Sequence, residues 1–235
     1  MATVLKPSAP TVIVDGELDD DEILLHIPAD AHTLAGYRRW VLSDAVPEKL
    51  KVMFLKGEIY LDMSKEAINH AVVKSDVARP MLNFFDELDL GNLYINGVLV
   101  VNVEADVSNN PDMVGVLWES LEAGKVRYVV TKKEEMEIEG SPDWLLEIVS
   151  AGSVTKDYRQ LREAYHQAGV REYWIIDARK DELRFQILHW RKSGDVAAPS
   201  KVGWLRSRVF PRSFQLTRNR DRRGAWRYTL AMKED

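Results

Sequence analysis

Glu147 carries a charge where its neighbours argue against one. In SPDWLLEIVS (141–150), period-two alternation sends Trp144, Leu146 and Ile148 to one face of a strand and Leu145, Glu147 and Val149 to the other. The carboxylate therefore belongs to a segment that is apolar on both sides. Burying it unpaired costs on the order of several kcal/mol, so it needs a cation, a basic partner or a proton. Asp112 raises the same question, opening the apolar run MVGVLW (113–118) directly behind Pro111. If the two strands are neighbours, both carboxylates meet at one hard cation. Magnesium takes one or two carboxylates plus waters and leaves positions for phosphate oxygens. A plainer account fits the same residues: Asp112 follows a turn-forming proline, as Asp143 follows Pro142, and Glu147 sits in a buried ion pair.

The elements that must position these groups are legible in outline. Residues 1–30 read as a loosely ordered acidic arm broken by Pro7, Pro10 and Pro28, and residues 31–235 as a single domain. Thr33 is placed to cap a short helix through Trp40 and Leu42. FLKGEIYLDM (54–63) reads as a hairpin turning at Lys56-Gly57. A helix is expected from about Glu66, with Ile68, Ala71, Val72, Ser75 and Ala78 at helical spacing, and Pro80 should kink or divide it before 81–88. Strand-like runs follow at 99–103, 113–118, 126–130 and 144–149. Between Lys156 and Ala168, Asp157, Leu161, Ala164, Tyr165 and Ala168 share a helix face, and Gly169 is a natural C′ residue. Strands at 173–178 and 182–190 come next. Strand, helix, strand at this spacing predicts a crossover feeding a mixed sheet, hence α/β architecture.

Composition narrows the chemistry. The 235 residues are 46% hydrophobic and 29% charged, too apolar for a disordered chain. With no cysteine, thiolate metal sites, iron–sulfur clusters and cysteine nucleophiles are excluded. Phosphate-binding glycine loops, G-x-S-x-G and His-Glu-x-x-His are absent, and the five histidines lack ligand spacing. No apolar run approaches the roughly 18 residues of a membrane span. Lys6 precedes an acidic cluster at 15–22, the wrong charge order for a secretory signal, so a cytoplasmic protein is expected. Net charge is −5, yet residues 184–227 hold twelve Lys/Arg against Asp195 and Asp221. That basic C-terminal extension, +10, leaves −15 elsewhere. Such asymmetry marks either a polyanion-binding surface or a solvated face that neutralises an acidic neighbour.

The order Pro111-Asp112, LLEIVS with Glu147, Ser153 to Asp157, Tyr165, then AGVREYWIIDA (168–178) resembles the bacterial Uma-type restriction endonucleases of the PD-(D/E)XK nuclease superfamily. KGEIYLDMS (56–64) followed by His70 on a helix is also similar, and GWLRSRVFPRSFQL (203–216) resembles the closing region of some members. The resemblance implies a restriction-endonuclease-like mixed sheet flanked by helices and metal-dependent hydrolysis of phosphodiester bonds in DNA, here double-stranded. It implies Asp112 and Glu147 as metal ligands on adjacent central strands, with the Ile148 carbonyl beside them. The implied cofactor is Mg²⁺, with Mn²⁺ as substitute, and enzymes that cut both strands commonly form homodimers. Glu58 and His70 match positions where the family often carries the same types, and either would line the cleft.

The pattern also departs from the superfamily. Lysine is expected two residues after Glu147, where Val149 stands, or four before Tyr165, where Leu161 stands. Arg162 is the favoured replacement, ahead of Gln160, with Lys156 and Arg159 pointing further away. Asp157 either complements the helix dipole or orients the cation beside the metal. The missing lysines motivate an alternative: a catalytically degenerate nuclease-fold module that binds nucleic acid or a protein partner without cutting.

Overall fold

The computed structural model describes residues 3–5, 11–14, 23–47, 50–62, 67–130 and 136–234. Short strands β1 (Thr3–Leu5), β2 (Thr11–Val14) and β3 (Ile23–His26) lead to helix α1 (Leu34–Val41), which Thr33 caps by accepting a hydrogen bond from Gly36 N at 3.1 Å. Lys56 and Gly57 hold φ of 49° and 82°, the left-handed pair of a two-residue hairpin turn. They join β4 (Lys51–Leu55) to β5 (Glu58–Asp62) with Leu55 opposite Glu58, as expected. Helix α2 (Ile68–Glu87) follows. Then come β6 (Gly91–Ile95), β7 (Leu99–Asn102), β8 (Val107–Asn109), β9 (Met113–Leu117), the single turn α3 (Trp118–Glu122), β10 (Val126–Val130), β11 (Met136–Gly140) and β12 (Trp144–Ile148). A wide π turn (Lys156–Gln160) runs into α4 (Leu161–Gln167). Next are β13 (Glu172–Asp177), β14 (Arg184–His189) and β15 (Val196–Ala197). The meander β16 (Ser200–Lys201), β17 (Trp204–Arg206), β18 (Arg212–Arg220) and β19 (Trp226–Glu234) follows them.

The central sheet runs β15-β14-β13-β12-β9-β6. Only β12 and β13 are parallel, joined by α4 as the crossover; β9 lies antiparallel beside β12 with Met113 opposite Leu146. The mixed α/β fold predicted from spacing is what forms. A second sheet of seven strands, β1-β5-β4-β8-β7-β11-β10, stacks behind it. The alternation in β12 holds: Trp144, Leu146 and Ile148 enter a core with α2, while Leu145 and Val149 enter one with α4 and the second sheet. A third cluster packs α1 on the far face of the second sheet. Leu25 and Ile27 are buried in it, so the part of the N-terminal stretch nearest α1 is core. The acidic residues 15–22 lie outside the described residues, as does the expected helix start near Glu66.

Helix α2 differs from its expected stripe. Its buried positions are Val73, Lys74, Asp76, Val77, Ala78, Met81, Phe84 and Phe85, whereas Ile68 is 85% exposed and Ser75 is exposed. Helical spacing of apolar residues alone rejects Lys74 and Asp76 from the inner face because they are charged; both turn inward because buried partners await them. Pro80 neither divides nor ends the helix, at the cost of a donor for the Asp76 carbonyl. Part of the basic C-terminal stretch packs into the core. Phe210 and Phe214 pack on Phe84 and Trp174. Arg227 Nε and Tyr228 N donate to Asp76 Oδ2 at 3.0 and 2.9 Å, and Tyr228 OH donates to Asn69 Oδ1 at 2.8 Å. Strand β19 thus straps α2 to the core. No described helix is long and apolar enough to cross a membrane.

Gly115 in β9 is what lets α2 approach. A Cβ there would sit 2.9 Å from Phe85 Cζ and 3.1 Å from Trp144 Cε3, both in the buried core. Gly115→Ala should therefore cost about 1–3 kcal/mol through overpacking, read as a lower urea midpoint with an unchanged m-value.

Candidate functional site

Asp112 stands in the turn just before β9, and its neighbour β12 ends beside it at Ile148. Asp112 Oδ2 accepts the Ile148 amide at 2.8 Å, so this carboxylate is fixed one residue from Glu147 along the next strand. Both acids line one cavity of about 370 Å³, with His70 and Val73 of α2, the Ile148–Ser153 loop, Lys156 and Arg179. The two strands are neighbours, as expected, and both acids border the same cavity, Asp112 from the side of α2 and Glu147 from the side of Asn109 and Tyr165.

The two acids live in different electrostatic surroundings. Lys74 Nζ lies 3.0 Å from Asp112 Oδ1, and His70 Nε2 lies 3.3 Å from Oδ2 and 3.0 Å from the Ile148 carbonyl oxygen. Burial alone would raise the Asp112 carboxyl, but His70, the Lys74 ammonium and the Ile148 amide together outweigh it and hold it well below the usual carboxylate range. Glu147 has neutral partners instead: Asn109 Nδ2 and Tyr165 OH donate to Oε1 at 2.9 and 2.8 Å. Burial pushes its carboxyl up to about 8; Lys156 and the Tyr165 hydroxyl oppose the rise, and the Asp157 and Asp112 charges add to it. Burial with only neutral groups in direct contact favours the protonated form.

Asp157 shares the inner face of its turn, as its spacing predicts. The Ser153 hydroxyl donates to its Oδ2, while Oδ1 is buried with no hydrogen bond and the Lys156 ammonium 3.4 Å away. Burial raises its carboxyl as well, against the pull of Lys156 and Ser153.

The remaining expected residues fall elsewhere. Glu58 is exposed on the hairpin, accepting from Tyr60 OH at 2.7 Å, and is not part of the cavity wall. Arg162 is exposed and donates to the Asp195 carbonyl at 3.0 Å, away from the acids. Lys156, which regular helical spacing turns away, faces the cavity instead. The cause is the π turn: Leu161 N donates to the Lys156 carbonyl, five residues back, and the widened turn carries Lys156 round toward the inner face. Lys74 lies four residues after His70 on the same face of α2. Nothing in the spacing announced Asn109.

Among the described residues, no group of three or more His, Asp or Glu side chains is arranged to hold a metal ion. The cavity offers two carboxylates and the Ile148 carbonyl, with the His70 imidazole engaged by Asp112 and that carbonyl. That sparse set suits magnesium, which keeps most of its waters. It does not suit a metal needing an all-protein cage.

A mixed sheet flanked by helices, with acids at the meeting point of two central strands, defines a restriction-endonuclease-like α/β domain. The chain belongs to the Uma2 family: that family's model, described as "Putative restriction endonuclease", matches residues 34–219. Among solved structures it is similar to a "putative nuclease belonging to DUF820" from Anabaena variabilis ATCC 29413, with a TM-score of 0.53 and 14% identity over 74% of this chain and 88% of the other. No curated protein matches the chain.

Proposed function

We propose that this chain is a magnesium-dependent endonuclease, with manganese as substitute, that hydrolyses phosphodiester bonds of double-stranded DNA in the cytoplasm, acting as a homodimer where both strands are cut. The observation that carries the reading is the Asp112–Ile148 hydrogen bond, which pins two carboxylates on neighbouring strands to one cavity. A magnesium ion held by Asp112, Glu147 and the Ile148 carbonyl would neutralise phosphate charge and lower the pKa of a bound water. Lys74 and His70 keep Asp112 ionised and correctly turned. Asn109 and Tyr165 fix the Glu147 rotamer. Lys156 presents an ammonium at the cavity wall, placed to stabilise the negative charge that grows on the phosphate as the bond breaks.

Val149 and Leu161, at the positions where the superfamily places lysine, favour a second reading, a module that binds nucleic acid or a protein partner without cutting. Supercoiled plasmid separates the two. The enzyme should nick it in Mg²⁺ or Mn²⁺ and leave it intact in a chelator; intact plasmid in both metals, together with salt-dependent duplex binding, overturns the proposed hydrolysis in favour of the second reading.

A further inference from the structure

The basic C-terminal stretch divides, in the structure, into arginines that are paired and arginines that are not. Arg184 pairs with Glu182 at 2.8 Å, Arg212 with Glu234 at 3.0 Å, and Arg227 with Asp76. At the tip of the β18–β19 hairpin, Arg220, Arg222 and Arg223 are exposed and no acidic side chain pairs with them among the described residues. Asp221, the acid between them, spends Oδ1 on the amides of Arg223 and Ala225 at 2.8 and 3.0 Å. Residues 218–227 hold five arginines against that one aspartate.

A path runs from the acidic cavity toward this hairpin, as far as Trp226. A second cavity of about 630 Å³ shares Asn69, Ala178 and Arg179 with the first, and continues past Lys180, Asp181 and Glu182 to Trp226. Its outer wall is braced: the guanidinium carbons of Arg218 and Arg220 lie 4.0 and 3.6 Å from the Trp226 ring centroid, and Arg218 donates to the Lys180 carbonyl at 3.1 Å and to that of Asp181. Arg179 is tied to Asp177 and Glu182 to Arg184, so the groove floor is near neutral and positive charge gathers at its outer end. Cations at the rim of a groove that ends at a metal-binding cavity suit a polyanion whose reacting phosphate enters while its neighbours stay outside.

We infer that the β18–β19 tip, through Arg220, Arg222 and Arg223, is the phosphate clamp for duplex DNA, holding the backbone to one side of the phosphate that enters the cavity along Arg179 and Lys180. The inference rests on the proposed nuclease reading and extends it to the substrate-holding surface.

The test is fluorescence anisotropy of a labelled duplex in chelator, titrated across salt, with the full chain. Arg222→Ala/Arg223→Ala should weaken binding at least about tenfold at low salt and reduce the log–log salt slope by about 2, the loss of two phosphate contacts. Arg191→Ala/Lys192→Ala removes equal charge from another exposed site and should lower the slope far less. Equal losses in the two variants, wild-type binding by the tip variant, or no duplex binding by the wild type would each overturn the clamp. A wild type that binds through the tip but never cuts leaves the clamp standing and removes the nuclease reading; a wild type that cuts while the tip variant binds normally does the reverse.

Discussion

Glu147→Gln and Asp112→Asn should each remove cleavage, by at least about 10²–10³-fold, yet shift stability in opposite directions. The difference follows from their partners. In the metal-free protein the Glu147 carboxyl is raised by burial from an ordinary 4.5 to about 8. Between those values the unfolded chain has released a proton that the fold retains, so stability falls as pH rises through the window, by on the order of a few kcal/mol. Glu147→Gln abolishes that slope and should unfold at higher urea than wild type near pH 8, where magnesium should also raise the wild-type midpoint. Asp112 is held low, so its contribution is present above the unfolded pKa and is lost only as pH drops below it. Asp112→Asn forfeits that and leaves the buried Lys74 ammonium without its carboxylate, at a cost of about 3–5 kcal/mol. Urea titrations at several pH values, in chelator, read both effects. A midpoint lowered equally by the two variants at every pH would refute this account of the pair.

Lys156→Ala should slow cleavage about 10²–10³-fold at saturating DNA with little change in duplex affinity, while Arg162→Ala should stay within about twofold of wild type. Lys156 lines the cavity and reaches toward Asp157, whereas Arg162 is committed to the Asp195 carbonyl on the exposed side of α4. Lys156→Arg should recover part of the rate, because a permanent charge suffices to stabilise phosphate oxygens; Lys156→Met should recover none. Single-turnover rates under excess enzyme separate this from a binding defect. A slow Arg162→Ala beside a normal Lys156→Ala would reverse the assignment.

What could be read from the sequence tracks how locally each feature is encoded. The alternation of β12, the β12–α4–β13 crossover and the Lys56-Gly57 turn are written in adjacent residues, and all three form. Asp112 and Glu147 were visible because a charge at the edge of or inside an apolar run is locally anomalous. The seven-stranded sheet was not legible, since its order depends on pairings such as β4 with β8 and β7 with β11, far apart in sequence. Lys74 and Asp76 were missed for a related reason. Each is buried against a partner from another element, Asp112 at one end and Arg227 at the other, and a helical wheel scores them as surface. Lys156 was misdirected by the assumption of 3.6 residues per turn, which the π turn breaks.

The strap across α2 has a consequence for the order of events during synthesis. His70 and Lys74 ride on a helix whose inner side is held by Arg227 and Tyr228, about 150 residues downstream. Until that strand has left the ribosome, a nascent chain owns every acid of the cavity but lacks the brace that keeps the helix against them. The wall of the cavity that α2 supplies is therefore completed by contacts from the far end of the described chain.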